Sequence, residues 1–127
     1  MKVTNFELAG DFMQAFGQEV LDKPTLPSPD LGRLRLELIR EEFEELTVAT
    51  NAMDIIEIAD ALTDILYVVY GAGQAYGIDL DECYEEVHRS NMSKLGEDGK
   101  PIYRADGKVL KGPDYSPPDL TPYTIGE

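Results

Sequence analysis

Glu41, Glu42 and Glu45, followed by Glu57, Asp60 and Asp64, are carboxylates at spacings that a helix turns into stripes. Carboxylates gathered in this way can hold a hard divalent cation through oxygen. At 100° per residue, Arg33, Glu37, Arg40, Glu44 and Thr47 share one arc of the segment that carries the glutamates, an ordinary solvent face. Leu34, Leu36, Leu38, Ile39, Phe43 and Leu46 take the opposite arc, and Glu41, Glu42 and Glu45 fall inside it. The following segment is apolar nearly all round, from Ile55 to Val69, apart from one narrow stripe made by Glu57, Asp60 and Asp64.

A short turn near Ala52 makes the two segments antiparallel. Counting outward from it sets Glu45 level with about Glu57 to Asp60, and Glu41 level with about Asp64. Like charges packed together away from water are strongly penalised. Protonation relieves this in part, and a cation relieves it better; an all-oxygen donor set suits Mg²⁺, with Mn²⁺ able to substitute, rather than Zn²⁺. The competing arrangement has the glutamates at a bundle edge, paired with Arg35, Arg40 or water.

The elements that must position these groups are legible. Phe6 to Val20 reads as a first helix. The proline-rich run from Lys23 to Asp30 is a linker, since each proline restricts the residue before it. A second helix opens at Asp30 or Gly32 and runs to about Thr50. Asp54 with Glu57 starts a third, which Gly77 ends after Tyr76. Asp79 or Asp81 caps a fourth, from Leu80 to Met92. The fold class expected is all-α, a four-helix bundle. Asp98-Gly99 and Asp106-Gly107 are turn dipeptides, so Pro101 to Arg104 and Lys108 to Lys111 are expected to form a short C-terminal β-hairpin. The proline-rich remainder is expected to be an extended arm, packed on its own body or on a partner subunit.

Composition sets the outer limits. The 127 residues fit a single domain, a helical body over about 5–95 and a hairpin and arm over about 96–127. A net charge of −14 disfavours sequence-independent nucleic-acid binding. The apolar run from Ile55 to Ala75 contains Glu57, Asp60 and Asp64 and is a poor membrane span. No secretory leader is expected, because Asn5, Glu7 and Asp11 interrupt the opening stretch, and the lone Cys83 suits a reducing, cytoplasmic setting. Basic residues concentrate late: Arg89, Lys94, Lys100, Arg104, Lys108 and Lys111 outnumber the acids among them. Such a segment suits an anion held beside a metal. Glu85 and His88 have the spacing of diiron bundles, but those need two such motifs and the chain has one histidine. His88 is therefore expected to be structural or to touch a bound ligand, and Tyr67, Tyr70 and Tyr76 to be core and interface residues.

Glu41-Glu42-Phe43-Glu44-Glu45 resembles the EExxE element, and Glu57-Ile58-Ala59-Asp60 the ExxD element, of the all-α NTP pyrophosphatases, which include MazG, phosphoribosyl-ATP pyrophosphohydrolases and dimeric dUTPases. From Leu34 to Pro118 the chain is similar to a MazG-like branch. It carries in order the ADALxDxLYVxYG segment (Ala59 to Gly71), VHRSNMSKL (Val87 to Leu95) and DGKPIYRxDGKVLKGP (Asp98 to Pro113). The eleven residues between Glu45 and Glu57 are at the short end of the family range, which implies a tight helix hairpin.

The resemblance implies that Glu41, Glu45, Glu57 and Asp60 bind Mg²⁺ and that Glu42 positions or deprotonates the attacking water. Asp64 is either support behind the ligands or an added ligand. Asn91 and Lys94, then Lys108 and Lys111, are the implied base or phosphate contacts. The implied reaction is hydrolysis of a (deoxy)nucleoside triphosphate, such as dUTP or another dNTP, to the monophosphate and pyrophosphate, in nucleotide-pool house-cleaning. The implied assembly is a homodimer or a dimer of dimers. A phosphoribosyl-ATP pyrophosphohydrolase of histidine synthesis shares the metal site, and a non-catalytic nucleotide or metal-binding module is the reading from another class.

Overall fold

A computed structural model describes residues 2–125. They form two compact units, divided between Leu80 and Asp81. The first unit holds helices α1 (Asn5–Ala15), α2 (Pro29–Asn51) and α3 (Ile55–Tyr76); α4 (Leu80–Met92) leads into the second. No sheet is present among the described residues. The molecule is all-α, with the four expected helices in the expected order.

The starts of α1, α2 and α3 follow from their caps. Thr4 and Glu7 form a reciprocal capping box on α1, with Glu7 N–H donating to Thr4 Oγ1 at 3.1 Å and Thr4 N–H donating to Glu7 Oε1 at 3.0 Å. Ser28 caps α2, accepting from Leu31 N–H, and Pro29 takes the first position, where a missing N–H costs nothing. Asp54 accepts from the N–H groups of Ile56 and Glu57 and so starts α3. The first helix is shorter than the apolar spacing predicts. Gly17 adopts φ 74° and Gln18 N–H turns back to Met13 C=O at 2.8 Å, which closes α1 five residues before Val20.

The linker is not loose. Leu21 N–H donates to Gln74 C=O and Thr25 N–H to Tyr76 C=O, so it satisfies carbonyls that the end of α3 leaves free. Gly77, at φ 70°, is required here, because a Cβ would lie 2.0 Å from Lys23 C=O. Both α1 and α2 pack on α3. The face of α3 they cover carries small residues, with Ala61, Gly71, Gly73 and Ala75 buried, and it receives Phe6, Ala9 and Met13 from α1 and Arg35 and Ala49 from α2. Larger apolar side chains, including Leu36, Phe43, Val48, Ile56, Leu62 and Leu66, remain exposed on this chain.

In the second unit, the expected β-hairpin is corrected to a turn. Tyr103 and Val109 form a single antiparallel bridge, with Arg104 N–H donating to Lys108 C=O and Leu110 N–H to Ile102 C=O. The ladder stops there, after a single bridge. Residues 101–111 are exposed throughout, so no apolar face rewards further pairing. The arm that follows returns to α4. Ser116 N–H donates to Ser93 Oγ and Asp119 N–H to Glu86 Oε2, and a short 3₁₀ turn, Thr121–Tyr123, ends it.

Candidate metal centre

The hairpin of α2 and α3 brings the two acidic stripes together. Met53, at φ 55°, sits at the centre of the turn. Glu42 and Asp64 are each eleven positions from it, as Arg35 and Gly71 are each eighteen, and both pairs face one another. Counting along the sequence alone centres the turn one residue earlier, near Ala52.

Glu42, Glu45 and Asp64 each place a carboxylate oxygen within 4.8 Å of the other two. Glu42 Oε2 is buried and, among the described residues, has no hydrogen-bond partner of good geometry. A groove of about 620 Å³ adjoins them, lined by Glu41, Glu44, Glu45, Asp54, Glu57 and Asp60. Glu44, which periodicity placed on the solvent face, thus belongs to the groove. Asp64 was legible as a stripe member, and only the fold puts it beside Glu42 and Glu45.

The electrostatics follow from this geometry. Burial, then the Glu45 and Asp64 charges, push the Glu42 carboxyl above the ordinary carboxylate range. Burial, then Asp60 and Glu45, do the same to Asp64. The competing arrangement, in which arginines neutralise the glutamates, is not formed. Arg40 pairs with Glu37 at 3.2 Å, and Arg35 is in none of the ion pairs recorded among the described residues.

A divalent cation fits this donor set. The donors are all carboxylate oxygens, one buried oxygen lacks a partner of good geometry, and the repulsion that raises two carboxyls is what a bound cation would relieve.

The remaining expected residues lie in the second unit. Asn91 is exposed on α4, and Lys94 is half-buried, its C=O accepting from Gly112 N–H. Lys108 is exposed in the turn, with its N–H on Asp106 Oδ1. The Lys111 ammonium stands 4.9 Å above the Tyr115 ring. His88 is exposed. In the first unit, Tyr67 and Tyr70 make edge contacts with Phe12 and Phe6 and serve in packing.

The comparisons bear on the same helices. The sequence model of the phosphoribosyl-ATP pyrophosphohydrolase family matches residues 9–91. An uncharacterized protein of Acanthamoeba polyphaga mimivirus is 36% identical over 118 residues, covering 87% of this chain and 43% of its own length. The chain thus spans less than half of that curated relative. A crystal structure of a proposed NTP pyrophosphohydrolase from Exiguobacterium sp. 255-15 is 26% identical and aligns over 92% of this chain and 90% of its own, with a TM-score of 0.47. The matched span contains both acidic stripes and the turn that joins them, and the chain belongs to the phosphoribosyl-ATP pyrophosphohydrolase family of the MazG-like all-α NTP pyrophosphohydrolases.

Proposed function

We propose that the chain hydrolyses a (deoxy)nucleoside triphosphate, dUTP or another dNTP, to the nucleoside monophosphate and pyrophosphate, with Mg²⁺ as its cofactor. The observation that carries this reading is the Glu42–Glu45–Asp64 cluster, which has no basic neutraliser and opens beside an acidic groove. Glu41, Glu45, Glu57 and Asp60, which line the groove, would hold the cation, with Asp64 as a further carboxylate beside Glu45. When bound, the cation offsets the triphosphate charge and makes water more acidic. Glu42 orients the attacking water and takes its proton. Water oxygen bonds to phosphorus as the bond to the departing pyrophosphate breaks. Asn91, Lys94, Lys108 and Lys111 contact base and phosphates, and cationic groups there stabilise the leaving pyrophosphate.

On this reading the whole chain acts as one domain. The exposed Leu36, Phe43, Val48, Leu62 and Leu66 support a homodimer or a dimer of dimers, since contiguous apolar helix faces mark interaction sites. The lone Cys83 supports a cytoplasmic setting, and among the described residues no helix is long and apolar enough to cross a membrane.

The family match favours a second reading, phosphoribosyl-ATP as substrate, through the same carboxylates. A pyrophosphate-release screen of NTPs, dNTPs and phosphoribosyl-ATP with Mg²⁺, with products identified by chromatography, decides between them. Monophosphate and pyrophosphate from a dNTP support the first reading, and turnover of phosphoribosyl-ATP alone replaces it with the second. Silence across the panel with metal binding intact makes the chain a binding module.

A further inference from the structure

Arg35 is 8% exposed, yet among the described residues its guanidinium has no carboxylate partner. Its Nε is buried without any hydrogen bond, and Nη2 makes one long contact of 3.4 Å to Gln18 Oε1. An arginine cannot escape burial by losing its proton, so a buried guanidinium needs an anion or a full set of acceptors. Here it has neither. A cavity of about 450 Å³ adjoins it, walled by Leu31, Leu34, Leu38 and Ala75, with Gln18 and the exposed Glu19 as its other polar members.

We propose that this cavity is a binding subsite for a phosphate group carried on a small organic molecule. The Arg35 fork takes the phosphate oxygens, and the leucines take the body that bears it. Four observations support the assignment. The cation is fixed by packing, because Gly71 on α3 admits Nη1 where a Cβ would lie 3.0 Å away. The guanidinium is left short of acceptors, its Nε–H having none, and that deficit is what an entering anion would relieve. The volume exceeds what inorganic phosphate needs, and most of the wall is apolar, so an organic body is favoured over the bare ion. The carboxylate cluster is a separate place: Glu42 is seven residues further along α2, about 10 Å along its axis, and does not line this cavity. The subsite does not depend on the proposed reaction.

The test uses the full chain with metal chelated by EDTA, which removes anion binding through a cation. Inorganic phosphate and phenyl phosphate are titrated by calorimetry and by ³¹P NMR. Both are expected to bind saturably, phenyl phosphate roughly tenfold or more tightly, because its ring is taken out of water between leucines. Arg35→Met is expected to abolish both, and Gln18→Leu to weaken both, whereas Glu42→Gln leaves them unchanged. Leu34→Trp, which fills the cavity and keeps the guanidinium, serves if Arg35→Met does not fold, and is expected to exclude phenyl phosphate. Equal binding of the two probes with loss in Arg35→Met overturns the organic body and leaves a bare phosphate site. Binding unchanged in Arg35→Met or in Leu34→Trp, or no saturable binding by the folded wild type, overturns the subsite. A change of oligomeric state in Arg35→Met without probe binding would instead make a carboxylate of a second copy the partner of Arg35.

Discussion

The guanidinium of Arg35 on α2 occupies the space that Gly71 on α3 leaves by having no side chain, with a Cβ at Gly71 lying 3.0 Å from Nη1. This contact fixes the α2–α3 register from the end opposite the turn, and so helps to align Glu42 with Asp64. Replacing Gly71 by valine would force the buried arginine from its place. The expected cost is about 1–3 kcal/mol of stability by denaturant titration. Gly71→Val with unchanged stability would show that the guanidinium is free to move aside.

Asp64→Asn separates the cost of the carboxylate cluster from its use. Without metal, removing one of three clustered charges relieves repulsion and should raise stability, by an amount of the order of 1 kcal/mol. With Mg²⁺ or Mn²⁺ the order should invert, because wild type gains from binding what the variant forgoes. Melting curves in EDTA and in excess metal check both. If metal shifts wild type and variant equally, Asp64 is not part of the cation site.

Glu42→Gln keeps shape and removes the proton acceptor. Turnover of the substrate found in the screen should fall by about 10²–10⁴-fold. Mn²⁺ binding measured by calorimetry should persist. Loss of Mn²⁺ binding along with turnover would instead make Glu42 a ligand, a role its place in the cluster also permits.

Glu86 joins α4 to the returning arm by accepting from Arg89 at 2.7 and 2.9 Å and from Asp119 N–H at 2.7 Å. The Arg89 hydrogen bonds, then the Asp119 N–H, hold its carboxyl well down, at about 2. An unfolded glutamate titrates near 4.3, so the folded state binds this proton more weakly. The sign follows: the contribution is complete above about pH 5 and is lost as pH falls through about 2. Protease sensitivity of the arm should therefore rise over that window in wild type. In Glu86→Gln the arm should be sensitive already at neutral pH. An arm equally protected in Glu86→Gln would show that Ser93 and Ser116 hold it unaided.

The sequence by itself determined the helices and the acidic stripes, because both rest on local rules. Asp54 and Gly77 act within one turn of chain, as do Thr4 with Glu7 and Ser28 with Pro29, which apolar spacing does not single out, and the positions of Glu42, Glu45 and Asp64 follow from helical spacing. The end of α1 was misjudged because apolar spacing continues past Gly17, whose left-handed backbone ends the helix whatever follows. The tail was overread because Asp106-Gly107 specifies a turn but cannot supply the buried face that strands need. Only the tertiary structure decided which stripe members meet. Moving the turn centre by one residue, from Ala52 to Met53, changes every cross-helix partner. It also decided that Arg35, which spacing offered as a partner for the glutamates, is enclosed beside Gly71 without one. Register and burial are set by which side chains are small enough to let two helices close, and no single segment carries that information.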